Sequence, residues 1–232
     1  MSDARRARET EATTAAQRFY GRWAWLYDLV ARRTPGIHGL REDAAAALEL
    51  SRGDTVVEMG VGTGANIPHL ARQVGPDGTV LGIDLTRGVL RTAHEMEGEH
   101  PAAHFVRGDA TRPPIDGPVD GILASFVVGM LDDPRGIVES WCDLVRPGGR
   151  IVLVNAARSE RPYGPLVNAP FRGLVLVSTP GRLRFLRTGR TPTAVLDRRI
   201  RAAHEGLAAG ATVDTYDERA AGIVRLVGAT VE

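Results

Sequence analysis

The chain has 232 residues, of which 43% are apolar and 25% charged, a composition typical of a soluble globular protein with one sizeable core. All 29 basic residues are arginine, which excludes a Schiff-base lysine, a pyridoxal-phosphate enzyme and a lysine-dependent phosphate loop. The single cysteine, Cys142, excludes an intrachain disulfide and a cysteine-rich zinc site. Because no apolar run approaches the roughly 20 residues of a membrane helix and the N-terminus has no apolar signal core, we predict a cytoplasmic location.

An aromatic-rich helix is predicted after a polar tail, residues 1–12, that we expect to be disordered. Helical spacing extends from about residue 14 to residue 33 and includes five of the twelve aromatic residues: Phe19, Tyr20, Trp23, Trp25 and Tyr27. The helix either packs on the core by its apolar face or closes over a ligand as a lid that excludes water. With a second, alanine-rich helix over about residues 37–50, it forms a predicted N-terminal helical lid, residues 13–50.

Strand patterns then alternate with helical patterns. The predicted strands cover residues 55–59, 79–84, 103–107, 119–128 and 150–154. The predicted helices between them cover about residues 67–73, 86–97 and 134–145. Such alternation is typical of right-handed βαβ units, which build a parallel sheet covered by helices on both faces.

The C-terminal part, residues 193–232, is predicted to contain a helix over 193–209 and two further strands. The strand patterns over 212–216 and 222–227 lie too close together for a crossover, so they should pair antiparallel. We therefore predict an α/β fold, Rossmann-like and doubly wound, with a mostly parallel seven-stranded sheet, an antiparallel last strand and N-terminal helices. The whole of residues 13–232 is expected to form a single domain.

Three glycines at alternate positions follow the first predicted strand, in the run VEMGVGTGANIP. Ligands of open parallel sheets bind beyond the carboxyl ends of the strands. Gly60, Gly62 and Gly64 remove Cβ atoms there and permit positive φ, and the following helix turns its free N–H groups toward the same turn. A dinucleotide and S-adenosylmethionine are both compatible with such a turn.

Acidic residues at successive strand ends distinguish these ligands. Glu58, just before the glycines, would repel a pyrophosphate but suits the cationic ammonium of a methionine moiety. Asp84 closes the second strand, about twenty residues past the glycines. A carboxylate at this position can accept hydrogen bonds from both hydroxyls of a ribose. Asp109 follows the third strand, where its carboxylate can accept a hydrogen bond from the exocyclic amine of an adenine.

The chain resembles the class I S-adenosylmethionine-dependent methyltransferases over about residues 54–155. The resemblance rests on E-x-G-x-G-x-G from Glu58, LGIDLT, GDA and LVRPGGRIVL, which occur in that family's order and spacing. The VEMGVGTGANIPHL run and the YDLV after the aromatic helix look most like the phosphatidylethanolamine N-methyltransferase and ubiquinone/menaquinone C-methyltransferase-like branches. Strand four has Ala124-Ser125-Phe126-Val127 instead of the Asn/Asp-Pro-Pro-Tyr signature of many adenine and glutamine N-methylases, so we expect no nucleic-acid partner.

The resemblance implies S-adenosylmethionine as cofactor, S-adenosylhomocysteine as product and a set of cofactor-binding residues. These are Tyr20, Tyr27, Glu58, Gly60, Gly62, Thr63, Gly64, Asn66, Asp84, Leu85, Asp109, Ala110, Ser125 and Phe126. No side chain is placed clearly enough to name as a catalytic base. The six histidines form no compact ligand pattern, so we expect no metal site.

A basic segment, residues 158–192, follows the fifth strand. Between Arg158 and Arg201 the chain has ten arginines against Glu160 and Asp197, a net charge of +8 in a chain of net charge +1. By resemblance this segment covers the pocket for a small-molecule or lipid-like acceptor. An anionic acceptor, peripheral membrane contact through residues 172–190, a homodimer contact and a plain solvated cover all stay open.

Two other function classes also stay open. The first is an NAD(P)-linked oxidoreductase on the same type of sheet, against which Glu58 and the Asp109-Ala110 turn argue. The second is a protein that binds S-adenosylmethionine without catalysis, or that transfers another group from it.

Overall fold

The structure, a computed structural model, describes residues 39–178 and 191–232, with the side chains of all of these except 177 and 178. Several predictions made from the sequence lie outside these residues. They are the disordered tail, the aromatic helix with Tyr20 and Tyr27, the start of the second helix, and the arginines of residues 179–190.

Seven strands and six helices make up the part of the chain that the structure describes. The strands are β1 (Thr55–Met59), β2 (Thr79–Asp84), β3 (Ala103–Arg107), β4 (Val119–Ser125), β5 (Val145–Ala156), β6 (Ala211–Arg219) and β7 (Val224–Val231). The helices are α1 (Leu40–Ala46), α2 (Ile67–Val74), α3 (Arg87–Glu97), α4 (Pro134–Cys142), α5 (Gly164–Ser178) and α6 (Pro192–Gly210), and a 3₁₀ turn spans Val128–Met130.

All seven strands form one sheet in the order β3-β2-β1-β4-β5-β7-β6. β1 pairs in parallel with β2 and β4, and β7 runs antiparallel between β5 and β6. The predicted fold class is therefore confirmed, including the antiparallel last strand. Because the order reverses at β1, the carboxyl ends of β1 and β4 flank the crevice in which ligands of such sheets bind.

Apolar side chains cover both faces of the sheet. One layer joins α4 and α6 to the strands through residues such as Trp141, Leu207 and Ile122. The other joins α1 and α2 through residues such as Leu70 and Val56. Cys142 is buried at the end of α4. No helix in the described ranges combines the length and apolar character that crossing a bilayer needs.

The predicted bounds of β1, β2 and β3 are confirmed, whereas those of β4 and β5 are wrong. β4 ends at Ser125 rather than at residue 128, because Phe126 has φ 58° and leaves the extended conformation. β5 extends from Val145 to Ala156 rather than over 150–154, because it pairs along its length with both β4 and β7. The α-helix of the second helical segment is also shorter than predicted, ending at Ala46.

α5 lies in the segment predicted only as a basic cover. Its sequence contains Pro165, Pro170 and two glycines, residues that oppose a helical prediction. Phe171 and Val175 are nevertheless buried against the rest of the protein. Packing of these two side chains therefore outweighs the low helical propensity.

Candidate active site at the carboxyl edge of the sheet

The three glycines after β1 all have positive φ, but their surroundings differ. A Cβ on Gly60 would lie 2.4 Å from Cγ2 of Val127, and one on Gly64 would lie 3.0 Å from Cγ of Glu97. A Cβ on Gly62 would meet no atom within 4 Å. Gly60 and Gly64 therefore allow the turn to pack, while Gly62 leaves open space against the backbone of the turn.

Glu58 is the buried acid of the site. It is 1% exposed at the end of β1, and its Oε1 accepts a hydrogen bond of 2.5 Å from Nδ2 of Asn66. Its Oε2 is buried and has no hydrogen-bond partner among the residues that the structure describes. Burial raises the pKa of Glu58 to about 8, against smaller lowering effects of the Asn66 hydrogen bond and the charge of Arg41. A buried carboxyl group with one unsatisfied oxygen is suited to a cationic ligand.

Asn66 connects the ends of two strands. The residue is buried immediately before α2, and its Nδ2 lies 2.5 Å from Glu58 on β1 and 3.2 Å from Oγ of Ser125 on β4. Its carbonyl oxygen accepts hydrogen bonds from the N–H groups of His69 and Leu70 in the first turn of α2. The side chain is thereby fixed between β1 and β4.

Asp84, at the end of β2, holds the glycine turn and its own turn together. Its Oδ2 accepts a hydrogen bond of 3.2 Å from the N–H of Gly62, and its Oδ1 accepts one of 2.8 Å from the N–H of Thr86. Burial raises the pKa of Asp84, while the hydrogen bonds from Thr86 and Gly62 act in the opposite direction. The carboxylate therefore lies beside the open space at Gly62.

Three further predicted residues lie after β2 and β3. Leu85 is an exposed apolar side chain directly after β2. Asp109 is exposed, and its Oδ1 accepts a hydrogen bond of 2.9 Å from the N–H of Thr111. The carbonyl oxygen of Ala110 accepts one of 2.8 Å from Nε1 of Trp141, which ties this turn to α4.

The end of β4 has an unusual backbone conformation. Phe126 adopts φ 58°, a region that a residue with a Cβ occupies rarely and at an energetic cost. Its N–H donates a hydrogen bond of 2.7 Å to the carbonyl oxygen of Val154 on β5, which fixes the conformation. The chain then bends away, and Ser125 and Phe126 remain at the edge of the sheet, partly exposed.

The fold thus brings the predicted residues of β1, β2 and β4 to one edge of the sheet. Asn66 contacts both Glu58 and Ser125, and Asp84 contacts the glycine turn at Gly62. Asp109 follows β3, one strand farther out. Two contributors were missed: Val127, which packs on Gly60, and Arg41 of α1, whose charge acts on Glu58. Nothing in the sequence signals these two long-range contacts.

Comparisons with known proteins identify the family. A family model described as a methyltransferase domain matches residues 57–153. The phosphatidylethanolamine N-methyltransferase of Cereibacter sphaeroides is 32% identical over 156 residues, which are 66% of this chain and 72% of the relative. The chain belongs to the class I S-adenosylmethionine-dependent methyltransferases. The predicted function class and cofactor, S-adenosylmethionine, are thereby confirmed, and the oxidoreductase alternative is not favoured.

One further relative supports the family, and one solved structure supports the fold. The 2-phytyl-1,4-naphtoquinone methyltransferase of Thermosynechococcus vestitus is 32% identical over 151 residues, 63% of this chain and 67% of the relative. A chain of a solved complex that contains the Haloferax volcanii Trm112 methyltransferase activator has a TM-score of 0.65 at 17% identity. That match covers 93% of this chain and 96% of the other and supports the fold alone.

The residues at the sheet edge fit the cofactor of this family. The cofactor has a sulfonium and an ammonium group, and Oε2 of Glu58 is a buried acceptor without a partner. The backbone at Gly62 is open to close approach, and the Asp84 carboxylate lies against that same backbone. A pyrophosphate, by contrast, would meet the two carboxyl groups of Glu58 and Asp84.

Proposed function

We propose that this methyltransferase holds S-adenosylmethionine across the carboxyl ends of β1, β2 and β4 and transfers its methyl group to a small-molecule or lipid-like acceptor. The observation that carries the proposal is the buried, unsatisfied Oε2 of Glu58 at the end of the strand that leads into the open backbone of Gly62. The proposed cofactor-binding residues in the described part of the chain are Glu58, Gly60, Gly62, Thr63, Gly64, Asn66, Asp84, Leu85, Asp109, Ala110, Ser125 and Phe126. Tyr20 and Tyr27 complete the proposed set from the N-terminal segment.

Each residue has a separate binding role in this proposal. Glu58 compensates the positive charge of the methionine end, with Asn66 holding its carboxyl group in place. Asp84 accepts hydrogen bonds from the hydroxyls of the ribose, and Leu85 and Asp109 contact the adenine. Gly62 permits close approach to the backbone, and Ser125 and Phe126 face the methyl group.

The chemistry needs little from the protein beyond alignment and exclusion of water. When bound, the cofactor supplies a methyl carbon already activated by its sulfonium for S_N2 displacement. Residues of this chain then have to bind and orient the two reactants and keep the site dry. We assign no general base, and an amine acceptor bound in its neutral form would need none.

The acceptor that we propose is lipid-like. The names of the two relatives above contain phosphatidylethanolamine, a lipid, and a phytyl-substituted naphthoquinone, an aromatic ring with a long hydrocarbon chain. Each matches more than 60% of this chain at 32% identity. We further propose a cytoplasmic enzyme with peripheral membrane contact through residues 172–190, or a homodimer that uses the same segment.

A ligand screen followed by a transfer assay tests this proposal. We expect S-adenosylmethionine and S-adenosylhomocysteine to raise the melting temperature of the purified protein, and NAD and NADP to leave it unchanged. We then expect S-adenosylhomocysteine to accumulate with phosphatidylethanolamine or a demethylated quinone as acceptor. Stabilisation by NAD alone would contradict the cofactor site, and methylation of soluble acceptors only would contradict the lipid-like acceptor.

A further inference from the structure

α5 presents an apolar stripe on its outward face. Leu166 and Leu176 are 79% and 45% exposed, and Tyr163, just before the helix, is 47% exposed. Ala169, Pro170 and Gly173 are exposed between the two leucines. Positions 166, 169, 170, 173 and 176 repeat at three- and four-residue intervals, so they lie on one side of the helix.

The opposite side of α5 is anchored to the protein. Phe171 and Val175 are buried. The Asn168 side chain exchanges two hydrogen bonds with the backbone of Ser159, with its Oδ1 accepting at 2.7 Å and its Nδ2 donating at 2.9 Å. The hydroxyl of Ser159 donates in turn to the carbonyl oxygen of Ala221 in the turn between β6 and β7. These contacts fix which side of the helix faces outward.

The charges within α5 and directly after it in the sequence are positive. Arg172 is exposed and is the only charged residue of α5. The sequence that follows the helix, residues 179–190, contains four arginines and no acidic residue. An apolar face flanked by cationic residues is the pattern of helices that lie in the interface of an anionic membrane.

The same charges disfavour other occupants of the stripe. A second copy docked on the stripe about a two-fold axis would bring Arg172 close to Arg172 of the other copy, where like charges repel. The N-terminal segment, residues 13–38, has four arginines and one acidic residue, so its charge is also positive. Nucleic acids are negatively charged, but they offer phosphates rather than an apolar partner to Leu166 and Leu176.

We propose that α5 lies on an anionic membrane surface, with Leu166 and Leu176 inserted in the interface and Arg172 at the headgroups. The helix begins eight residues after the carboxyl end of β5, at the same edge of the sheet as the cofactor-binding residues. An acceptor that stays in the bilayer would therefore be presented at the edge where the methyl group is held. This last step rests on the proposed lipid-like acceptor, and the membrane contact itself deepens the peripheral contact proposed above.

Vesicle flotation tests the contact. We expect the full chain to float with vesicles of phosphatidylcholine and phosphatidylglycerol at low salt, and not with vesicles of phosphatidylcholine alone. Leu166→Glu and Leu176→Glu should each weaken binding about tenfold or more, because each places a carboxylate in the interface. Met96→Glu is the matched control, since Met96 is a 51% exposed apolar residue on α3 and should leave binding unchanged.

A label at the stripe gives an independent measurement. Cys142 is buried and is the only cysteine of the chain, so a Leu166→Cys variant can be labelled selectively with an environment-sensitive dye. We expect a blue shift with anionic vesicles, and none when the label is on a Met96→Cys variant.

Three results would overturn the inference: no flotation of the wild-type chain at low salt, unchanged binding of both glutamate variants, or a dimer that Leu166→Glu converts to a monomer. Stabilisation by S-adenosylhomocysteine is measured in every variant. If that stabilisation is present without vesicle binding, only the membrane contact fails. If it is absent from the wild type as well, the proposed cofactor site fails separately.

Discussion

Two groups of buried charged side chains in this methyltransferase differ in their partners. At the ends of β1 and β2, Glu58 and Asp84 are both largely buried. Their carboxyl groups accept hydrogen bonds from backbone and side-chain amides. On β5, Arg150 is also buried, but its guanidinium lies 3.2 Å from Glu49 and 2.5 Å from Asp214. It also donates a hydrogen bond of 2.8 Å to the carbonyl oxygen of Ala47.

The difference separates a binding region from a structural one. Charges that are paired within the protein contribute to the stability of the fold, and loss of the acidic partners would leave Arg150 buried without compensation. A buried carboxyl group that accepts hydrogen bonds only from amides is costly to ionise in the ligand-free protein, and a cationic ligand would favour its ionised form. Substitutions in the β5 group should therefore reduce stability, whereas those in the β1–β2 group should alter ligand binding and pH dependence.

The largest expected effect is on the structural group. Arg150→Ala should lower the free energy of unfolding by about 3 kcal/mol, because a buried side chain is removed together with its hydrogen bonds to Ala47 and Asp214. The melting temperature should fall by roughly 6–12 °C. Arg91→Ala is the control, since Arg91 forms an exposed pair with Glu95 on α3 and should cost less than about 0.5 kcal/mol. Equal losses in the two variants would contradict the distinction.

Asp84→Ala should weaken binding of S-adenosylmethionine about tenfold or more, since a charge-assisted hydrogen bond to the ribose is lost. Calorimetry measures the affinity, and the melting temperature of the ligand-free variant checks that the glycine turn survives loss of the bond from Gly62. The matched control is Asp77→Ala, in an exposed turn before β2 at the other end of the strand. Unchanged affinity in Asp84→Ala would remove Asp84 from the site.

Glu58→Gln should raise the melting temperature of the ligand-free protein by a few degrees at pH 8 and hardly at pH 5. The pKa of Glu58 is raised from 4.5 to about 8 by burial, so the folded state binds more protons than the unfolded state between these values. Stability of the wild type therefore falls as pH rises through this window, and Gln, which does not ionise, removes the loss. A melting temperature that differs equally at both pH values would contradict the raised pKa.

The smallest effect is expected at His204 on α6, whose Nε2 lies 3.3 Å from Nδ2 of Asn155. Burial, and then the charge of Arg225, lower the pKa of His204 from 6.5 to about 4. The folded state resists protonation, so the stability contribution is present above pH 6.5 and is lost as pH falls toward 4. His204→Gln should flatten this part of the stability profile, measured by denaturant unfolding between pH 4 and 7. An unchanged slope would show that other groups cause it.

The part of the site that follows a local rule could be predicted from the sequence. Gly60, Gly62 and Gly64 follow a buried strand and precede a helix, and Glu58 and Asp84 stand at strand ends, so their placement at one edge follows from the parallel alternation alone. What could not be predicted was the contact pattern. The Cβ clash that Gly60 avoids is with Val127, 67 residues away in the chain, and Asn66 reaches Ser125 across 59 residues.

The helical conformation of α5 could not be predicted from its sequence. Its prolines and glycines favour irregular structure, but burial of Phe171 and Val175 stabilises a helix instead. That Leu166 and Leu176 share one outward face could not be predicted either, because the spacing of residues identifies a face only once the conformation of the segment is known.

By itself, the sequence determined the fold class, the family and the edge of the sheet at which we propose that the ligand binds, since each depends on local patterns that recur at fixed spacing. Only the tertiary structure decided which charges are paired. Hydrogen bonds and ion pairs depend on distances of about 3 Å between residues far apart in the chain. The spacing of residues along the sequence does not contain those distances, and the packing of the strands and helices sets them.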